Sequence, residues 1–291
     1  MTEQASVQPS TNVTPSFLAQ LEQRWQQDHF VCVGLDPDYA LIPAFLKQDV
    51  PVAEAVFAFN RAIIDATSDL VCAYKPNSAF YEALGADGLQ ALVRTVQYIK
   101  EQYPRVPVIL DAKRADIGNT NMGYVTSTFE VIGADAITVH PYLGKEALQP
   151  FLARKEQGIF VLARTSNSGA GEFQDLSVGP AGEPLYQVVA RRVAQDWNSQ
   201  GNCALVVGAT YPAELARVRA IVGDMPILVP GIGAQGGDVD AIVKVGQDSR
   251  GWGMIISSSR NIIFASSGPD FAEAACSATV QLHAEINRAR S

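Results

Sequence analysis

The sequence predicts a (β/α)8 TIM barrel, an α/β fold in a single domain. Eight short apolar runs alternate with helical patterns across 291 residues. The runs are near-continuous Val, Ile and Leu, as expected of strands covered on both faces. Their polar residues collect at the carboxyl ends, where such barrels place their active sites. A doubly wound open sheet is the competing arrangement, but no G-x-G-x-x-G follows the first run.

Residues 1–15 are polar, rich in Thr, Ser, Gln and Pro, and are expected to form a flexible tail before a barrel domain over 16–291. Phe17, Leu18, Leu21 and Trp25 then mark an amphipathic helix over 17–27. Strands are expected at 30–37, 70–77, 106–113, 136–140, 158–166, 203–210, 227–233 and 252–260. Helices are expected at 52–69, 88–102, 120–132, 185–198, 212–222, 238–245 and 271–290, with Gly133 stopping the third of these. The stretch from Ser168 to Pro184 reads as a long polar loop.

Composition narrows the function. Apolar residues make up 47% and charged residues 18%, as in an ordinary soluble globular protein. The net charge of −8 disfavours nucleic acid or an anionic membrane as the main partner. No run approaches a membrane span, and the N-terminus lacks the segments of a signal peptide. Cys32, Cys72, Cys203 and Cys276 are far apart and form neither a disulfide framework nor a metal-ligand pattern. A reduced, cytoplasmic protein is expected.

The third strand ends in Asp111-Ala-Lys113-Arg-Ala-Asp116. Alternation along a strand puts Asp111 and Lys113 on one face. With Asp116 three residues further on, the pattern predicts a cation held between two carboxylates. Both would favour the protonated amine, which suits a proton donor and not an amine nucleophile. Such a pattern alone also describes a surface ion pair. The convergence of Asp36, Lys75, His140, Ser166, Thr210, Gln235, Ser259 and Arg260 at the same end lifts it above that reading.

Pro230-Gly-Ile-Gly-Ala-Gln235-Gly-Gly follows strand seven, and Ser258-Ser259-Arg260 ends strand eight. Glycines let backbone N–H groups approach an anion, a following helix adds its positive end, and an arginine can clamp the anion through two bonds. A phosphate site is expected there. His140, His29 and His283 read as structural or surface residues, and Arg164 as the partner of an acid.

With these residues assembled, the chain resembles the orotidine 5′-phosphate decarboxylase family. The matching pieces are Gly34-Leu-Asp36, Lys75-Pro-Asn77, Asp111-Ala-Lys113-Arg-Ala-Asp116-Ile117 with Thr120, Pro230-Gly-Ile-Gly-Ala-Gln235, and Arg260. They run from strand one to strand eight. The chain length, Lys75-Pro-Asn and the long loop after Ser166 resemble the longer, type 2-like branch. The resemblance implies a cofactor-free, metal-free enzyme that makes UMP from orotidine 5′-phosphate in pyrimidine biosynthesis. Lys113 would protonate the carbon that loses CO2, with Asp111 and Asp116 beside it. Asp116, Ile117 and Thr120 would reach into the partner's site, implying a homodimer. Asp36, Lys75 and Thr120 would hold ribose hydroxyls, with Asn77 nearby. Ser166 and Gln235 would meet the pyrimidine. Gln235, Pro230 and Arg260 would lie at the phosphate. Ser259 stands where shorter relatives have glycine, so a backbone contact to phosphate there is a point of departure.

Three other functions fit parts of the pattern. A sugar-phosphate decarboxylase or aldolase barrel with the same D-x-K-x-x-D would use magnesium, held partly by an acid where this chain has Lys75. A Schiff-base aldolase would need a lysine of lowered pKa. A non-catalytic nucleotide-binding barrel would bind UMP and release no CO2.

Overall fold

The computed structural model describes residues 15–232 and 238–291. Of the expected tail, only Pro15 is among them. The Gly233 to Gly237 part of the glycine-rich loop, with Gln235, lies outside the described residues.

Eight parallel strands form the sheet: β1 Val31–Leu35, β2 Val71–Pro76, β3 Ile109–Arg114, β4 Ala136–Val139, β5 Gly158–Arg164, β6 Cys203–Val207, β7 Ile227–Pro230 and β8 Met254–Ser258. Their order is β2-β1-β8-β7-β6-β5-β4-β3. Two parallel bridges, Tyr74 to Val108 and Asn77 to Asp111, join β2 to β3 and close the sheet into a barrel. All eight expected strands are present. Residues such as Val31, Val33, Ile137, Val161, Leu205, Val229 and Ile255 are fully enclosed, which is why the runs carry so little polarity.

Helix Phe17–Trp25 closes the amino-terminal end of the barrel. The Trp25 indole donates to the carbonyl of Met254 (2.9 Å), and Arg24 donates to the carbonyls of Val71 (2.7 Å) and Ser68 (2.8 Å). Ser16 caps the helix by accepting from Ala19 N–H. The outer helices Val52–Thr67, Gly85–Gln102, Pro212–Val222, Val239–Gly246 and Phe271–Arg290 match expectation within a few residues. The helix after β3 is α-helical over Gly118–Val125 and π-helical over Thr126–Ile132, and it stops at Gly133 with φ 81°.

Two expectations about loops need correction. Residues after His140 contain a helix, Gly144–Leu152, that the sequence reading lacks; Pro150 inside it and Gly144 at its start obscure the helical pattern. The polar stretch after Ser166 is structured, with a short helix Gly171–Gln174 and a hairpin pairing Ser177–Val178 with Glu183–Pro184.

Candidate active site

The carboxylate of Asp111 organises the carboxyl end of the barrel. Its Oδ2 accepts from Lys75 Nζ (3.3 Å) and Asn77 Nδ2 (3.2 Å). Its Oδ1 accepts from Lys113 Nζ (2.6 Å) and Thr138 Oγ1 (2.8 Å). Strands β2, β3 and β4 thus each deliver a donor to one acid that is 8% exposed. Asn77 ties in β1 as well, since its N–H donates to Asp36 Oδ1 (3.1 Å).

Burial alone would push the Asp111 carboxyl up. The charges of Lys75 and Lys113, with hydrogen bonds from Lys113 and Thr138, outweigh it and bring the carboxyl down from 3.8 to about 2. Burial would likewise pull Lys75 down, but Asp36 and Asp111 outweigh it and hold the ammonium above its ordinary lysine value. Asp111 therefore stays ionised and Lys75 charged at neutral pH. The Lys113 side chain is 48% exposed, so its ammonium is fixed by Asp111 and still open to a molecule entering the barrel mouth.

A stability consequence follows from the depressed carboxyl. The folded protein holds fewer protons on Asp111 than the unfolded chain between the two values. Its contribution, about 2 kcal/mol, is present above roughly pH 4 and is lost as pH falls towards 2. Urea unfolding of wild type and Asp111→Asn across this range should show a shallower acid decline for the variant. Parallel declines would remove Asp111 as the cause.

Within one chain the expected cation between two carboxylates is not formed: among the described residues Lys113 pairs with Asp111 and not with Asp116, and Asp111 lies between two cations. Asp116 Oδ1 accepts from Ile117 N–H (2.7 Å), at the start of the turn. Asn121 pins this turn: its Oδ1 accepts from Asp116 N–H (2.9 Å), and its Nδ2 donates to the carbonyls of Asp116 and Ala147 (2.6 Å each). Ile117 and Thr120 are exposed.

Ser166, half-buried, follows β5 and is seated by Gly208 after β6. A Cβ on Gly208 would fall 2.7 Å from Ser166 Cβ and 2.8 Å from its backbone N, so only glycine fits. Arg164 is buried and pairs with Asp175 (3.1 Å), matching its expected role, and it stacks over Tyr211. Gln174 folds the loop back by accepting from Thr165 N–H (2.8 Å) and donating to Thr165 Oγ1 (2.8 Å).

Pro230 ends β7, and Ser259 and Arg260 follow β8 at the same end. Ser259 Oγ donates to the Gly34 carbonyl (3.3 Å), which gives this serine a role in joining β8 to β1. Arg260 is exposed beside it. The site residues brought together by side-chain contact are Asp36, Lys75, Asn77, Asp111 and Lys113. The sequence reading missed Thr138 and Asn121. The only hint of Thr138 was a hydroxyl inside an apolar run; Asn121 showed no signal.

The geometry matches a known family. The model of the Orotidine 5′-phosphate decarboxylase / HUMPS family covers residues 29–275. The chain belongs to this family. A relative named orotidine 5′-phosphate decarboxylase from Cellvibrio japonicus (strain Ueda107) is 53% identical over 277 residues, covering 95% of this chain and all of the relative. One of the same name from Azoarcus sp. (strain BH72) is 53% identical over 276 residues, covering 94% of this chain and 99% of that one. Among solved structures, Leishmania donovani OMP decarboxylase matches with a TM-score of 0.82 at 38% identity, covering 94% of this chain and 98% of that chain.

Within the orotidine 5′-phosphate decarboxylase family, then, this member carries its charged cluster on β1 to β4, with Pro230, Ser259 and Arg260 at the same end of β7 and β8. Among the described residues no three His, Cys, Asp or Glu side chains are grouped so as to hold a metal ion. No helix among them is long and apolar enough to cross a membrane.

Proposed function

We propose that this chain decarboxylates orotidine 5′-phosphate to UMP and CO2, in pyrimidine biosynthesis, with Lys113 as the proton donor. The observation that carries the reading is the 2.6 Å contact that fixes the Lys113 ammonium on Asp111 at the open end of the barrel, in a chain of this family. The bond from the pyrimidine ring to the carboxylate breaks, and its electron pair stays on the ring carbon. A proton passes from Lys113 Nζ to that carbon. A fixed positive charge beside a developing carbanion acts strongly where water is excluded.

The other assignments follow the barrel. Asp36, Lys75 and Thr120 hold ribose hydroxyls, Ser166 and Gln235 the pyrimidine, and Arg260, Pro230 and Gln235 the phosphate, with Asn77 and Ser259 bracing them. The carboxylate of Asp111 faces the substrate carboxylate, a repulsion relieved as CO2 departs. The buried Lys75 ammonium beside Asp111 would repel a divalent cation there, which favours metal-independent chemistry over the sugar-phosphate alternative.

A homodimer completes the site. Exposed Ile117, Met122, Tyr142 and Leu143 lie on or beside two helices that pack together, Gly118–Val125 and Gly144–Leu152, and offer an apolar face to a second copy. Asp116 then crosses to the partner's Lys113. We read 16–291 as the catalytic domain and the cytoplasm as its compartment.

The test is the loss of orotidine 5′-phosphate absorbance on incubation with purified protein in excess EDTA. Full-rate conversion with release of CO2 is expected. Activity that requires added magnesium would favour a metal-dependent relative, and tight UMP binding without turnover would favour a binding protein.

A further inference from the structure

We propose that the Thr138 hydroxyl is a positioning group for this reaction: it locks the Lys113 backbone and the Asp111 carboxylate into one arrangement. The proposal rests on the reading of Lys113 and Asp111 above.

The pairing of β3 with β4 is irregular here. Leu110 is opposite Ile137, and Arg114 is opposite Val139. Asp111, Ala112 and Lys113 therefore stand across from the single residue Thr138. A strand that bulges this way loses ladder partners and re-aims its side chains. Lys113 absorbs the excess with φ 48°. Of the three non-glycine residues with positive φ among the described residues, the other two, Asp28 and Asp49, lie in turns. A lysine has no local reason to hold this conformation, so something must support it.

Thr138 supplies that support. Its Oγ1 accepts from Lys113 N–H (2.9 Å), taking the place of a missing ladder carbonyl. The same hydroxyl donates to Asp111 Oδ1 (2.8 Å), the oxygen that receives Lys113 Nζ (2.6 Å). A ring results: Lys113 amide, Thr138 hydroxyl, Asp111 carboxylate, Lys113 ammonium. Thr138 is 1% exposed, so water does not substitute for it. Both capacities of the hydroxyl are used, and valine, which has the same shape, can supply neither.

The experiment compares Thr138→Val, Thr138→Ser and Thr138→Ala, with Lys113→Ala alongside. Thr138→Val should lower kcat roughly 10- to 100-fold, the span for a buried group left short of a partner, with KM changed less than about threefold. Thr138→Ser should keep kcat within about threefold, since it retains the hydroxyl. A purely packing role predicts the reverse: valine harmless, serine harmful. If Thr138→Val does not fold, serine against alanine decides, because both lack the methyl and only alanine lacks the hydroxyl. Equal kcat for those two would overturn the proposal. Should Lys113→Ala turn over normally, the proton-donor reading itself has failed. Should Lys113→Ala be inactive while Thr138→Ala runs at the wild-type rate, only the role of Thr138 falls.

Discussion

Lys113→Ala should lose turnover of orotidine 5′-phosphate by at least about 10⁴-fold, the upper range for removing a proton donor together with its charge. UMP should still bind. The reason lies in the way Asp111 is held. Without Lys113, its carboxylate keeps Lys75, Asn77 and Thr138 as donors, so no buried charge is stranded. The ribose and phosphate residues come from other strands. The variant should therefore be a folded, ligand-binding, inactive protein. Calorimetry with UMP and a single-turnover assay on one preparation settle the matter. Turnover near the wild-type rate would mean that the proton comes from elsewhere.

Two inactive variants, Lys113→Ala and Asp116→Ala, should recover activity when mixed and allowed to exchange subunits. The single chain places the Asp116 carboxylate on its own turn, against Ile117 N–H, and not on Lys113. If Asp116 completes the partner's site across a two-fold axis, each mixed dimer pairs an intact Lys113 with an intact Asp116 once. Random exchange at equal amounts should return about a quarter of the wild-type rate, starting from near zero. No recovery, with dimers shown to have exchanged, would mean that each site is built within one chain.

The barrel was readable because its strands are enclosed on both sides. Burial demands uninterrupted apolar runs such as 203–207 and 159–163, and these stand out against helices whose apolar residues recur every three or four positions. Short elements without such a demand were not readable. Helix Gly144–Leu152 carries a proline, and the Ser177–Val178 hairpin is a two-residue ladder in polar sequence. In the site, Lys75, Asp111 and Lys113 announced themselves as charges at the ends of oily strands. Their arrangement did not. Simple alternation cannot foresee the bulge across from Thr138, nor that Lys75 would reach Asp111 from the neighbouring strand. Spacing along the strand suggested that Asp116 meets Lys113 of its own chain, but Asn121, fully buried, holds the turn that carries it away from that lysine.

The join between β2 and β3 gives the barrel a further property. Elsewhere around the wall, neighbouring strands are joined by ladders, three of them with a register shift. Here two isolated bridges suffice, and one of them is Asn77 to Asp111. The stitching at this sparsest seam is supplied by polar side chains of the site, Lys75 and Asn77, read as substrate-binding, on Asp111, read as catalytic. Evolutionary pressure for a faster reaction and pressure for a durable cylinder therefore act on the same few atoms, and neither quality can drift freely without the other.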